Sequence, residues 1–192
     1  MNICKQHLFR RARILALLLA GSVALAGCGA ARHSGGTPVA FVQGSAISRA
    51  ALAHWTTIER AGKQGPSIRA GAEERALAFL ITAKWIEGEA AAQGVRASAS
   101  EAQATYERLT HGPAGATFAA NLRQAGMDRT DELLQLRLER LAAGLRAKGG
   151  TGRRLAAFVA AYRRHWRART SCRPGYVVPE CRESPAAASS RR

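Results

Sequence analysis

The stretch of sequence that decides the fold is residues 72–94, AEERALAFLITAKWIEGEAAAQG. Its apolar side chains recur at helical spacing from Ala76 to Trp85, as they do on a helix with one buried stripe. Gly94 follows, and glycine commonly ends a helix because it accepts the left-handed backbone conformation needed there. The pattern predicts one long helix over residues 72–93.

Further helices are predicted on both sides of this stretch. The clearest opening is residues 98–101, SASE, a capping box in which the serine and glutamate side chains each accept a hydrogen bond from the other's backbone. The other helices are placed by N-cap residues, apolar periodicity and glycines. They run from Ser48 to about Arg60, from Ser98 to about 111–113, over 118–125 with Gly126 closing it, from Thr130 to the glycine-rich 149–152, and over 153–169.

The final predicted helix carries an apolar stripe. Its members are spaced so that they share one helical face: Leu155, Phe158, Val159, Tyr162 and Trp166. We expect this stripe to be buried against the other helices, with most of the arginines on the remaining faces.

The sequence predicts only a short β element, at the start of the domain. Residues 39–43, VAFVQ, have the apolar character of a strand, Gly44 and Ser45 suit a turn, and Ala46 and Ile47 would begin a second short strand. The expected fold is therefore mainly α, with this β element in front and the final helix packed onto the rest. We place the helical domain at residues 39–183.

Residues 1–28 have the pattern of a lipoprotein signal peptide. Four basic residues precede the apolar segment 14–26, ILALLLAGSVALA, which is shorter than the about 20 residues needed to span a bilayer. Small residues then lead directly into Cys28, in the sequence LAGC. We expect residues 1–27 to be removed, Cys28 to be lipidated, residues 28–38 to form a flexible tether, and the domain to be anchored to the cell membrane on its extracytoplasmic side. The alternative is an ordinary secretory signal with a chance cysteine.

The chain is strongly basic, with a formal net charge of +16 over 192 residues. Twelve Lys or Arg and only two Glu lie between residues 146 and 192, so the charge is concentrated at that end. A basic face of this kind is either solvated or attracted to an anionic membrane or cell-wall polymer, and a GC-rich genome would also enrich arginine. We expect no nucleic-acid partner, and we expect residues 184–192, SPAAASSRR, to be disordered.

Two cysteines of the expected mature domain, Cys172 and Cys181, lie close together in the sequence. In an oxidising compartment such a pair predicts a disulfide bond that closes the loop CRPGYVVPEC and contributes about 2–3 kcal/mol to stability. A zinc site would need more ligands than these two residues supply. The spacing is also not the C-x-x-C of redox enzymes.

No catalytic, metal or cofactor site is predicted from the residue pattern. Asp128 and Asp131 fall in the first turn of a predicted helix, where they complement the helix dipole. The histidines have neither H-x-x-x-H nor H-E-x-x-H spacing.

The candidate binding residues are Leu52, Trp55 and Ile58, on one face of the first predicted helix. This stripe is either part of the core or a surface that grips a polypeptide partner through Trp55.

Four segments, taken in order, resemble the SurA/PrsA-type foldases. They are VAFVQGSAISRAALAHW at 39–55, FLITAKWIEGEAAAQGVRASASEAQATYERL at 79–109, AGMDRTDELLQLRLERLAAGLRAK at 125–148 and AYRRHWRARTSCRPGYVVPEC at 161–181. The resemblance implies a helical chaperone domain like the N-terminal domain of SurA, which binds unfolded or newly exported polypeptides. In these foldases a parvulin domain often follows the long helix, whereas here only GGTG separates Lys148 from Arg153. The prolyl isomerase activity of the family is therefore not carried over.

The function we expect is that of a membrane-anchored chaperone or foldase-like protein without covalent chemistry. Two alternatives remain open: a peptidyl-prolyl isomerase of the SurA/PrsA family, and a structural basic lipoprotein that binds anionic polymer or lipid.

Overall fold

The computed structural model describes residues 36–61 and 71–181. The predicted signal peptide, Cys28, most of the tether and the tail 184–192 lie outside these residues. In chain order the elements are β1 (Pro38–Val42), β2 (Ser45–Ser48), α1 (Arg49–Ala61), α2 (Ala72–Ala92), α3 (Ala99–His111), α4 (Gly115–Ala125), α5 (Arg129–Gly149), α6 (Gly152–Arg167) and β3 (Thr170–Cys172). This arrangement confirms the mainly α fold with a small N-terminal β element.

The three strands form one antiparallel sheet in the order β2-β1-β3. A tight turn joins β1 to β2, and both Gln43 and Gly44 in that turn have positive φ angles. The third strand, β3, was not predicted. It pairs with β1 so that Val42 lies opposite Thr170. The C-terminal segment thus adds a third strand to the N-terminal hairpin.

The long helix α2 spans Ala72–Ala92, as predicted from its periodicity. The capping box of α3 is also confirmed: the Glu101 N–H donates to Ser98 Oγ at 3.1 Å, and the Ser98 N–H donates to Glu101 Oε2 at 2.8 Å. The helix α4 begins at Gly115, three residues before the predicted start at residue 118.

The start of α5 corrects the prediction that Thr130 is its cap. The N-cap is Asp128, whose side chain accepts a hydrogen bond from the Asp131 N–H at 2.9 Å. The Asp128 N–H in turn donates to Asp131 Oδ2 at 3.0 Å. The hydrogen bond from the Asp131 N–H lowers the pKa of Asp128, because it favours the ionised carboxylate.

The main core forms where the sheet, α1 and α2 meet. Its fully buried side chains include Val39, Leu77 and Ile81, and the Trp55 and Phe79 ring centroids lie 4.2 Å apart. A smaller cluster of Ala90, Leu141 and Leu145 joins α2 to α5. The described residues, 36–61 and 71–181, form one compact unit around these clusters.

The C-terminal segment is attached to α2 through Trp166, which is 3% exposed. Its Nε1–H donates to Glu89 Oε2 at 2.7 Å, and its ring lies over Gly88, where a Cβ atom would fall 2.1 Å from the Trp166 Cη2 atom. One turn earlier in α2, the Trp85 Nε1–H donates to Thr170 Oγ1 at 2.7 Å. Two indole N–H groups of the core therefore hold the end of α6 and the start of β3 in place.

None of the helices within the described residues has the length and hydropathy that crossing a bilayer requires.

Candidate polypeptide-binding groove

A cavity of about 340 Å³ lies where α2, α5, α6 and the segment after β3 meet. A second depression continues from it along α2 and α5, and the two share Thr82, Ile86, Ala142 and Arg146. We call the two together the groove. Its remaining lining residues are Phe79, Ala83, Trp85, Gln135, Leu138, Glu139, Leu145, Phe158, Val159, Tyr162, Arg163, Arg167, Pro179 and Glu180.

The apolar stripe of α6 supplies one wall of the groove, which corrects the prediction that the whole stripe is buried. Only Trp166, in the last turn, is buried; Phe158, Val159 and Tyr162 are each partly exposed. The cause is the way α6 is attached. Its last turn is fixed by Trp166, whereas its first turns rest on Gly149 at the end of α5. The middle of the stripe therefore faces an open groove.

The rim of the groove has a net positive charge, with three exposed arginines against one exposed glutamate, Glu139. Arg146, Arg163 and Arg167 are exposed, and in the described part of the chain no ion pair involves any of them. Their charge is therefore available to a ligand. A ligand that combines apolar groups with carboxylates would complement both the wall and the rim.

Two polar atoms that line the groove lack hydrogen-bond partners among the described residues. They are the hydroxyl of Tyr162 and Oε2 of Glu180, and both atoms are buried. Burial, together with the negative charge of Glu89, raises the pKa of Tyr162, so its phenol stays protonated and can donate. A buried polar group is normally satisfied. Neither atom is accessible to solvent, so a ligand in the groove contacts them only if the surrounding side chains move.

The disulfide loop forms the far side of the groove. Cys172 and Cys181 lie at the distance a disulfide bond requires, with their Cα atoms 5.7 Å apart. The intervening chain buries Val178 in the core and brings Pro179 and Glu180 to the groove. The predicted bond would therefore hold this wall against α2 and α6.

The predicted peptide-binding residues lie elsewhere, in the core. Leu52, Trp55 and Ile58 are 3%, 6% and 8% exposed, and all three belong to the cluster between the sheet, α1 and α2. This burial corrects the expectation that they contact a partner, because their surfaces are already covered. Sequence reasoning missed Ile86, Ala142 and Glu180, whose partial exposure depends on how the helices pack.

The described residues contain no cluster of three or more His, Cys, Asp or Glu side chains that could hold a metal ion. Two groups of these types, His54 Nε2 and Asp131 Oδ1, lie 2.7 Å apart. This contact joins α1 to the start of α5, and Asp131 is already engaged in the cap of that helix.

No family model, curated protein or solved structure matches this chain. The resemblance to SurA/PrsA-type foldases therefore rests on the sequence segments alone.

Proposed function

We propose that this chain is a membrane-anchored extracytoplasmic chaperone that binds unfolded or exported polypeptides in the groove. The observation that carries the proposal is the partly exposed apolar wall that Phe158, Val159 and Tyr162 form, beside a rim of exposed arginines. A polypeptide offers both apolar side chains and, at each residue other than proline, one backbone N–H and one carbonyl. Its apolar side chains can pack on the wall, and its carbonyl oxygens can accept hydrogen bonds from the arginines of the rim.

The size of the groove favours short, weak contacts. A volume of about 340 Å³ is at the lower end of ligand sites, so its deeper part accepts a few side chains of a client at a time. Each well-buried aliphatic or aromatic side chain contributes about 1.5–3 kcal/mol before the cost of ordering the client. Such contacts tolerate many sequences and release readily, which suits a chaperone.

The isomerase alternative has no support from a specific observation. The helix α5 ends at Gly149 and α6 begins at Gly152, so no parvulin domain is inserted between them. We therefore expect the domain to delay aggregation of an unfolded client without accelerating prolyl isomerisation.

A matched pair of substitutions on α5 tests the groove. Ala142 lines both of its depressions and is partly exposed, whereas Ala143 points to solvent. We expect Ala142→Arg to fill the groove and weaken client binding by about tenfold, the equivalent of losing roughly 1.4 kcal/mol of contact energy. Ala143→Arg makes the same chemical change one residue away and should bind like the wild type. The measurement is suppression of client aggregation, with circular dichroism to verify folding.

Two outcomes would contradict the proposal. Equal activity of both variants would show that clients bind elsewhere. Uncatalysed prolyl isomerisation takes tens to hundreds of seconds. Isomerisation of a proline peptide faster than this would establish the isomerase alternative instead.

A second test concerns the anchor. Replacing Cys28 by alanine should leave a protein without acyl chains, because the LAGC sequence offers no other thiol for lipidation. We expect this variant to leave the membrane fraction, whereas Cys4→Ala, in the segment to be removed, should behave like the wild type. Mass spectrometry of the mature N-terminus checks the result, and a terminus at any residue other than Cys28 would refute lipidation.

A further inference from the structure

One face of α6 remains outside the core and borders the groove only through Arg163 and Arg167. It carries Arg153, Ala156, Ala160, Arg163, Arg164 and Arg167, all of them exposed. Arg153 and Arg164 are eleven residues apart, which is close to three helical turns, so they lie on the same side. We call this surface the basic face. Its arginines are separated by alanines, so nothing larger than a methyl group stands between the guanidinium groups.

The charge of the basic face is not neutralised within the described residues. The helix α6 contains no acidic residue, and the ion pairs that the structure describes involve His54, Arg75, Lys84, Arg137 and Arg140. Neighbouring like charges cost free energy unless an external anion relieves them. Guanidinium groups pair well with phosphate, to which they can donate two parallel hydrogen bonds.

We propose that the basic face docks α6 onto the anionic phospholipid surface of the membrane. A helix of 16 residues is about 24 Å long, so its arginines can meet several headgroups at once. An extended array of phosphates matches an extended array of cations better than a single small anion does. Each arginine held near such a surface strengthens binding by about fivefold.

The position of the tether favours a membrane over a distant polymer. The Gln43 N–H, which follows β1, donates to the carbonyl of Arg169 at 2.9 Å, so the end of β1 adjoins the end of α6. The tether joins the other end of β1, at Pro38. The ten residues from Cys28 to Pro38 reach at most about 35 Å. If Cys28 is acylated as proposed, α6 is confined close to the lipid.

Docking would also place the groove beside the membrane. Arg163 and Arg167 border both the basic face and the groove. A client that emerges from the membrane would therefore meet the groove next to the lipid surface. This consequence rests on the proposed client binding, and the preference for a membrane over a polymer rests on the proposed acylation of Cys28.

The docking can be tested without the acyl anchor. The chain from residue 29 onward contains all of the described residues, so it can be studied free of lipid. We expect it to co-sediment with vesicles of phosphatidylcholine containing about one-third phosphatidylglycerol, but not with pure phosphatidylcholine. Binding should disappear at about 0.5 M NaCl, because screening shortens the reach of the surface potential.

Two double variants of equal charge separate the basic face from overall attraction. Arg153→Gln with Arg164→Gln should weaken vesicle binding by about 25-fold, since two arginines at about fivefold each are lost. Arg60→Gln with Arg123→Gln removes two exposed charges from α1 and α4. This variant should weaken vesicle binding by less than about threefold. Neither variant touches the lining of the groove, so client binding should persist in both.

Three results would overturn the proposal. Equal losses in the two double variants would show attraction by net charge alone. No binding to anionic vesicles would remove the docking altogether. A third result would assign the face to an anionic polymer instead. It is release of the domain from vesicles by poly(glycerol phosphate) whose phosphate concentration is lower than that of the vesicle lipids.

Discussion

Replacing Trp166 by alanine is expected to destabilise the domain by about 3–5 kcal/mol, the range for a large aromatic residue removed from a core. The side chain is 3% exposed and fills the space above Gly88, so its loss leaves a cavity between α2 and α6. The buried carboxylate of Glu89 accepts two side-chain hydrogen bonds, from Trp166 and from Gln93. The substitution removes the first and leaves the second. Urea denaturation measures the change.

Trp166→Phe is the matched control. It keeps most of the ring and removes the indole N–H, so we expect a smaller loss of about 1–3 kcal/mol from the Glu89 hydrogen bond. If the free energy of unfolding of the alanine variant fell by less than about 1 kcal/mol, Trp166 would not be what attaches α6 to the core. Since α6 carries a wall of the groove, the alanine variant should also lose client binding at temperatures where the rest of the domain is folded.

Removing the predicted disulfide is expected to lower the free energy of unfolding by about 2–3 kcal/mol, because the open chain gains conformational freedom when it unfolds. The double variant Cys172→Ser/Cys181→Ser and the reduced wild type should agree, and thermal unfolding with and without reductant compares them. Pro179 and Glu180 lie within the loop that would be freed, so client binding should weaken as well.

Peptide mapping under non-reducing conditions decides whether the bond exists in the protein taken from the envelope. Free thiols at both positions would contradict it. A dimer linked through either cysteine would contradict it too, since the Cα separation of 5.7 Å suits a bond within one chain.

The long helix and the capping box could be predicted because their signals are local. Periodicity over some twenty residues placed α2 correctly, and the Ser98–Glu101 pair marked the start of α3. At α5, however, both Asp128 and Thr130 are suitable caps. Asp128 prevails because Asp131 stands at the third helical position and completes a reciprocal pair of hydrogen bonds. The capping box of α5 therefore uses two aspartates, Asp128 and Asp131, in place of the usual Ser or Thr followed by Glu or Gln.

The third strand and the groove could not be predicted in the same way. Thr170–Cys172 is three residues long and is a strand only because β1 lies beside it, a contact between distant parts of the chain. Periodicity likewise assigns Phe158 and Tyr162 to one face of α6 but does not say what covers that face. Leu52 and Trp55 carry the same signal and are buried, since α2 packs directly over them. The difference lies in tertiary packing.

The pairing of β1 with β3 has a consequence for translocation. A chain that crosses the membrane with its N-terminus leading delivers Val39 and Val42 first, but their partner strand arrives only with Thr170. Until then β1 has one neighbour and an open edge, and α2 lacks the Trp166 side chain that joins it to the C-terminal segment. The native fold therefore cannot close while α6 is still on the near side. If the chain is exported as proposed, the order of its elements keeps it unfolded enough to pass through an export channel, and folding becomes the last step of its passage.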